Sequence, residues 1–373
     1  MKRTLLLILI CFWPCYLAWF AGISCFNGQT RNVESALLAS TTNNNGLKAI
    51  TNDFFIGIAV NPNRVVDKTY SSIYTHEFNS ITAENAMKMH SILIGLDANN
   101  QPVYDWTQSD AIVNFAEANQ MNLHGHALIW HESIPEALKN FKGSDETFAE
   151  IIKTYITDVV TRYKGKVDSW DVVNEAIDDE SALFRNSIFY QRLGKDYVKK
   201  CFEHARAADN EVKLFYNDFN LVTKKKKRKA VFALVDELMA ENLIDGVGYQ
   251  MHINFDFPSK SQIQKAVYYA TKRKLLVHFS ELDIQVNANN DIETFTQVRA
   301  EGQKLKVKEV VEVYADLPKK CQYALTVWGL KDDDSWITPR FGHKDWPLLF
   351  DDTFRKKDAY YGFLDALNQK QNQ

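Results

Sequence analysis

The feature that most constrains this chain is a repeated alternation of two kinds of segment. Short apolar runs rich in β-branched and aromatic residues recur at 54–60, 78–83, 122–130, 167–174, 213–217, 246–251, 275–281 and 324–328. Longer stretches with helical spacing of apolar positions lie between them at 109–119, 148–163, 196–208, 227–241, 260–272 and 294–314. A short apolar run bounded by turn formers reads as a strand buried on both faces, and an amphipathic helix after it brings the chain back to start a parallel neighbour. Eight such units predict the α/β class and a closed (β/α)8 TIM barrel rather than an open doubly wound sheet. No glycine-rich phosphate loop follows the first strand, which weakens a dinucleotide-binding alternative. With 373 residues, 46% hydrophobic and 24% charged, the chain can bury a core of this size. No low-complexity break or short repeat interrupts 47–368, so one domain takes the whole span.

The ends carry other signals. Met1-Lys2-Arg3 is a short basic region ahead of an apolar run from Leu5 to about Ile23, which reads as an export signal over 1–24. That run approaches the ~20 residues that span a bilayer, so an uncleaved anchor is an alternative. A third reading is a bacterial lipoprotein site at Cys25 in Gly22-Ile23-Ser24-Cys25, although the usual upstream Leu is missing. Residues 25–46, rich in Thr, Asn and Ser, read as a polar leader. The expected product is exported, whether secreted, periplasmic or a lipoprotein on the outer surface, and touches a membrane only through this terminus. Cys11 and Cys15 fall in the signal, and Cys25, Cys201 and Cys321 are too few for a disulfide framework. A net charge of -3 gives no field that would gather nucleic acid. The basic run Lys224-Lys225-Lys226-Lys227-Arg228-Lys229 opens a helix and reads as a solvated face. Nothing requires an oligomer, and a monomer is expected.

A barrel builds its active site at the carboxyl ends of its strands, so polar residues that close apolar runs are the ones to question. Strand four closes Trp170-Asp171-Val172-Val173-Asn174-Glu175, and strand seven closes His278-Phe279-Ser280-Glu281-Leu282-Asp283. One glutamate at a strand end is ordinarily a helix-cap neighbour or half of a surface ion pair. Two at one mouth suggest the pair needed for glycoside hydrolysis, with one carboxyl protonated to donate to the leaving oxygen and one ionised to attack. Glu281 has Asp283 beside it and Gln250-Met251-His252 at the end of strand six, so His252 oriented by Asp283 could keep it charged. Glu175 is then the acid. Asn174 could bond a sugar 2-hydroxyl or merely cap the next helix. No His, Cys and carboxylate cluster has metal-ligand spacing, and two-glutamate hydrolysis needs neither metal nor cofactor.

Trp170-Asp171-Val172-Val173-Asn174-Glu175-Ala176 and Ser280-Glu281-Leu282-Asp283-Ile284 resemble the two catalytic signatures of glycoside hydrolase family 10. The similarity runs from about 50 to 366. It takes in Thr82-Ala83-Glu84-Asn85-Ala86-Met87-Lys88, Gly125-His126-Ala127-Leu128-Ile129-Trp130-His131, Gly246-Val247-Gly248-Tyr249-Gln250-Met251-His252 and Thr326-Val327-Trp328-Gly329-Leu330. Asp334-Ser335-Trp336 and Pro347-Leu348-Leu349-Phe350-Asp351 complete it. The resemblance implies an endo-β-1,4-xylanase that retains configuration, with 47–368 as its catalytic domain and xylan or xylo-oligosaccharides as its partner. It implies Glu175 as acid/base and Glu281 as nucleophile, their carboxyls roughly 5–5.5 Å apart as retention requires. It also implies Glu84, Asn85 and Lys88 at the distal glycone subsite, with His126, Trp130, Asn174, Gln250 and His252 around the sugar being cleaved. Trp328 and Trp336 would roof these subsites, each stabilising binding by about 25 cal/mol per Å2 of apolar surface covered, or else belong to the core.

Two places depart from the family. Ser133 stands where a glutamine more often contacts sugar, and Glu132 beside it could face solvent or alter the local field. His131 could support the loop or Trp130. The charged stretch Leu330-Lys331-Asp332-Asp333-Asp334 could tune the acceptance of substituted chains or be a solvated loop.

Overall fold

The computed structural model describes residues 46–371. The export, anchor and lipid-site readings, and the leader up to 45, lie outside the described residues. Eight parallel strands form the barrel: β1 (Phe55–Val60), β2 (Ser80–Ala83), β3 (Asn122–Gly125), β4 (Ser169–Asn174), β5 (Lys213–Asp218), β6 (Gly246–Tyr249), β7 (Leu276–Gln285) and β8 (Gln322–Val327). Each pairs with the next, and β8 closes on β1 with Phe55 opposite Ala324 and Ile58 opposite Val327. Every strand read from the sequence is present.

The outer helices are α1 (Lys68–Glu77), α2 (Thr107–Ala118), α3 (Asp145–Arg162), α4 (Tyr197–Ala208), α5 (Lys225–Ala240), α6 (Lys260–Thr271), α7 (Gln297–Ala315) and α8 (Asp358–Gln371). Helices α1, α3, α6 and α7 start on side chains that satisfy otherwise orphaned amides, as where Asp67 accepts from Thr69 and Tyr70 at 2.8 and 3.1 Å. Ser259 and Gln262 form a reciprocal capping box on α6. The barrel interior is filled by side chains from neighbouring strands, among them the packed rings of His124, Phe215, His278 and Tyr323. On the outer face the Trp170 ring, beside Tyr163, lies across Gly125 so closely that a Cβ there would meet it at 2.2 Å.

Two of the runs read as single strands are interrupted. After β3 the chain leaves the ladder and re-enters at Ile129–Trp130, which pairs with Val173 and Asn174 of β4. After β6 it re-enters at His252–Asn254, with His252 opposite Asp283 of β7. Each re-entry carries a site residue to the mouth. An antiparallel hairpin, Leu93–Leu96 with Pro102–Tyr104, occupies the connection from β2 to α2.

The basic run at the start of α5 corrects its sequence reading. Lys225, Lys226 and Lys229 are exposed, as a solvated face requires. Lys227 is fully buried, however, with its ammonium 2.7 Å from Asp218, and Arg228 is buried with Nη1 donating to the Leu221 and Val222 carbonyls at 2.6 and 3.1 Å. Burying a cation is costly without a partner, and here β5 and the turn after it supply carboxylate and carbonyl acceptors.

Candidate active site

The carboxyl ends of β4 and β7 present Glu175 and Glu281, both buried. One hydrogen-bonded bridge joins them. Asn217, at the end of β5, donates through Nδ2 to Glu281 Oε1 at 2.7 Å and to Asn174 Oδ1 at 3.0 Å. Gln250 donates through Nε2 to the same Asn174 oxygen at 3.2 Å and to Glu175 Oε1 at 2.9 Å.

The two carboxylates differ in their donors. Glu175 receives neutral ones: Gln250, Asn174 Nδ2 at 3.2 Å, and the indole of Trp130, whose Nε1 donates to Oε2 at 2.9 Å. Glu281 faces cationic character. Its Oε2 lies 3.2 Å from His252 Nε2, while His252 Nδ1 bonds Asp283 Oδ2 at 2.8 Å. Burial alone would push His252 down, but the charge and hydrogen bond of Asp283, aided by Glu281, carry it up to about 10. Burial would likewise raise Glu281. The hydrogen bond from His252, the charges of His126 and His252, and the Asn217 donor outweigh it and hold the carboxyl below its usual range. His252 and Asp283, paired in the sequence reading, thus stand together beside Glu281, and Trp336 Nε1 adds a 2.8 Å bond that pins the same Asp283 oxygen.

The remaining predicted residues surround this centre. His126 is fixed through Nδ1 to Asp171 at 2.9 Å and stands edge-on to Trp328, 5.4 Å between ring centres. Trp328 is buried between His126 and His252. Trp336 stands 4.9 Å from the His252 ring and remains partly exposed. Glu84 accepts from Asn61 at 2.5 Å and from Asn85 at 3.2 Å, and Lys88 donates to Asn85 at 3.0 Å. Lys88 lies over the Trp130 ring at 4.6 Å, which joins the cluster on β2 to the centre. Burial lowers its pKa, opposed by the charges of Glu281, Glu84 and Glu175. A cluster of polar side chains with Trp130 and Trp336 partly exposed beside it suits a neutral, hydroxyl-rich ligand.

The departures also find places. His131 packs edge-on against Trp130 at 6.0 Å, with Nδ1 3.9 Å from Glu175 Oε2. Glu132 faces solvent. Ser133 is fully buried and bonds His90 Nδ1 at 2.7 Å, so it holds the loop from within. The 330–334 stretch is not a solvated loop throughout. Asp332 is buried on Lys357 at 2.9 Å, Asp334 bonds Tyr70 at 2.9 Å and Arg64 at 2.6 Å, and only Asp333 of the three is exposed. Sequence reasoning missed Asn217, the link between the carboxylates, although it closes an apolar run in Tyr216-Asn217-Asp218 and so satisfies the rule that selected Glu175 and Glu281. Asn61, the partner of Glu84, was missed as well.

Comparison with known proteins agrees with this geometry. The family model of Glycosyl hydrolase family 10 matches residues 46–366. The chain is 37% identical over 345 residues to Endo-beta-1,4-xylanase Xyn10C of Cellvibrio japonicus, covering 84% of this chain and 56% of that protein. It is 32% identical over 337 residues to Exoglucanase XynX of Acetivibrio thermocellus, covering 86% of this chain and 29% of that protein. Among solved structures it is similar to a variant of Xylanase10C from Cellvibrio japonicus in complex with xylopentaose, with a TM-score of 0.83, 35% identity and coverage of 88% of this chain and 70% of that chain. The chain therefore spans only part of the length of these relatives. The closed barrel, the two bridged carboxylates and a family match over most of the sequence place this chain in Glycosyl hydrolase family 10.

Proposed function

We propose that the chain is an endo-β-1,4-xylanase that cleaves internal bonds of xylan with retention of configuration. The observation that carries this reading is the contrast between the two bridged carboxylates: Glu281 is held below its usual pKa beside His252, while Glu175 is surrounded by neutral donors. An ionised Glu281 attacks the anomeric carbon as Glu175 protonates the leaving oxygen. Glu175 then takes a proton from the water that releases the glycosyl-enzyme. Asn174 and Gln250 sit between the two groups, where they can bond the hydroxyls of the sugar being cleaved, and Glu84, Asn85 and Lys88 serve the adjoining glycone sugar. Two features support xylan: relatives named as xylanases, and Trp328 and Trp336 close around His252, where a sugar without an exocyclic hydroxymethyl group fits best.

The test is reducing-sugar release from xylan, carboxymethylcellulose and mannan by the purified protein, with Glu281→Gln as control and the anomer first released identified by NMR. Release from xylan as the β-anomer, abolished in the control, is expected; an α-anomer would exclude double displacement. Similarity to a relative named as an exoglucanase supports one second reading, action on a β-1,4-glucan, and comparable release from carboxymethylcellulose would favour it. Residues 1–24 carry the further proposal of export, which N-terminal sequencing of the mature protein tests.

A further inference from the structure

The backbone at Glu175 turns left-handed, with φ 58°, a conformation that costs a non-glycine residue ~1–2 kcal/mol and persists only where its surroundings enforce it. The Glu175 amide donates to the Asn217 carbonyl at 2.9 Å, and its carbonyl accepts from Arg185 Nε at 3.1 Å. The next two amides, those of Ala176 and Ile177, both donate to the Tyr216 hydroxyl, at 3.0 and 3.3 Å. A phenol that accepts from two amides must send its single proton elsewhere, and Tyr216 donates it to Asp218 Oδ2 at 2.7 Å. The other Asp218 oxygen accepts from the Phe219 amide at 2.9 Å and from Lys227 Nζ at 2.7 Å. Lys227 is held in turn over the Phe219 ring, 3.5 Å from its centre, and 3.4 Å from Asp179. Tyr216, Asp218 and Lys227 are all fully buried. Amides and ammonium can only donate, so both ends of the chain of bonds converge on Asp218: the turn that carries Glu175 donates to the phenol and the phenol to the carboxylate, which Lys227 meets from the other side.

We propose that Tyr216, Asp218 and Lys227 form a positioning relay that sets where the Glu175 carboxyl stands over the leaving oxygen. None of the three is placed to touch the sugar; each acts through the backbone of the acid/base. Two of them, Tyr216 and Asp218, flank Asn217 on β5, so this strand serves both carboxylates: Asn217 reaches Glu281, and the side chains on either side of it brace the turn after β4. Burial pushes Asp218 up to about 7 against the pull of Lys227, and the Glu175 charge adds to the rise, which marks the two carboxyls as close enough to feel one another. The buried end of the basic run thereby acquires a use.

The proposal rests on Glu175 being the acid/base, and the test separates the two claims. Rates are measured on xylan, whose leaving group needs a proton, and on 2,4-dinitrophenyl β-xylobioside, whose leaving group does not. Tyr216→Phe is expected to lower kcat/KM on xylan by roughly 10- to 100-fold, the size of effect that a misplaced catalytic group produces. On the aryl substrate kcat/KM is expected to stay nearly unchanged, while kcat and KM fall together as the glycosyl-enzyme accumulates. A merely structural role would scale both substrates by the folded fraction. Equal losses on the two substrates, or no loss on either, would overturn the relay. Glu175→Ala is run in parallel. A substrate split there without one in Tyr216→Phe rejects the relay alone, whereas no split in Glu175→Ala rejects the acid/base assignment and the relay with it. Should Tyr216→Phe not fold, Asp218→Asn carries the same test, because it keeps an acceptor for the phenol but removes the charge that Lys227 holds.

Discussion

His252 sits between two carboxylates, and its protonation links the chemistry of the site to the stability of the fold. Its pKa is raised from 6.5 to about 10 in the folded chain, so the stabilisation it brings is fully present below about pH 6.5 and is lost as the pH rises through about 10. In Asp283→Asn the larger of its two partners loses its charge, the folded pKa of His252 falls, and this loss begins at lower pH. Denaturant midpoints measured from neutral to alkaline pH should therefore decline earlier in the variant than in the parent; superimposable curves would contradict the pairing. Glu281 gives the kinetic counterpart. Its pKa is depressed largely through His252, so, with Glu281 as the proposed nucleophile, the acid limb of kcat/KM should lie below the usual carboxylate range and should move to higher pH in His252→Gln, which removes that cation. Both glutamates, His252 and Asp283 were legible in the sequence because each closes an apolar run. The bridge through Asn217 was not, because its meaning depends on three strands meeting: the donor comes from β5, and the acceptors from β4 and β7.

At the scale of elements, strand ends place the chemistry, and glycine at one of them makes room for it. Gly248 of β6 lies beside Asn217 on β5, and a Cβ there would stand 2.1 Å from the Asn217 side-chain oxygen. Gly248→Ala must therefore push Asn217 away, and with it the 2.7 Å bond to Glu281 and the 2.7 Å bond from Ser280 to the Asn217 oxygen. With Glu281 as the proposed nucleophile, the expected outcome is a fall in kcat/KM of roughly 10-fold or more on activated and unactivated substrates alike, because a nucleophile serves both. A loss confined to xylan would show that Asn217 governs Glu175 instead. Apolar runs of β-branched residues announced all eight strands. They could not announce where pairing lapses, since His126 and Gln250 look like strand positions until the neighbouring strand is known. Helix α1 also went unread. Its stripe is Tyr70, Ile73 and Tyr74 among Ser, Thr and His, residues that favour helix weakly, and its stability comes from the barrel it covers. The run at the start of α5 misled in the opposite direction, because composition cannot tell which lysine of five points inward at Asp218.

Over the whole domain, closing a barrel means joining the first and last of its described elements, and one buried carboxylate contacts both. Glu77, the last residue of α1, accepts from the Leu47 amide at 3.0 Å and the Tyr360 hydroxyl at 2.7 Å, and pairs with Lys356 at 2.8 Å. These bonds draw the start of the domain and helix α8 onto one point outside the β1 to β8 seam. Tyr360 stands 283 residues from Glu77, which is why no local pattern signalled the contact. Replacing Glu77 with Ala leaves a buried amide and hydroxyl without their acceptor and Lys356 without its counter-charge. Losing a buried partner of this kind costs about 3–5 kcal/mol, toward the lower end here because Lys356 keeps some exposure to water. Since none of these groups reaches the carboxyl ends of the strands, Glu77→Ala should unfold at markedly lower denaturant while its kcat/KM, measured where it remains folded, matches the parent. The opposite pattern, unchanged stability with impaired catalysis, would mean that the seam between the chain ends is coupled to the site. An unchanged midpoint would mean that strand pairing between β1 and β8 closes the barrel without help from the helices that cover it.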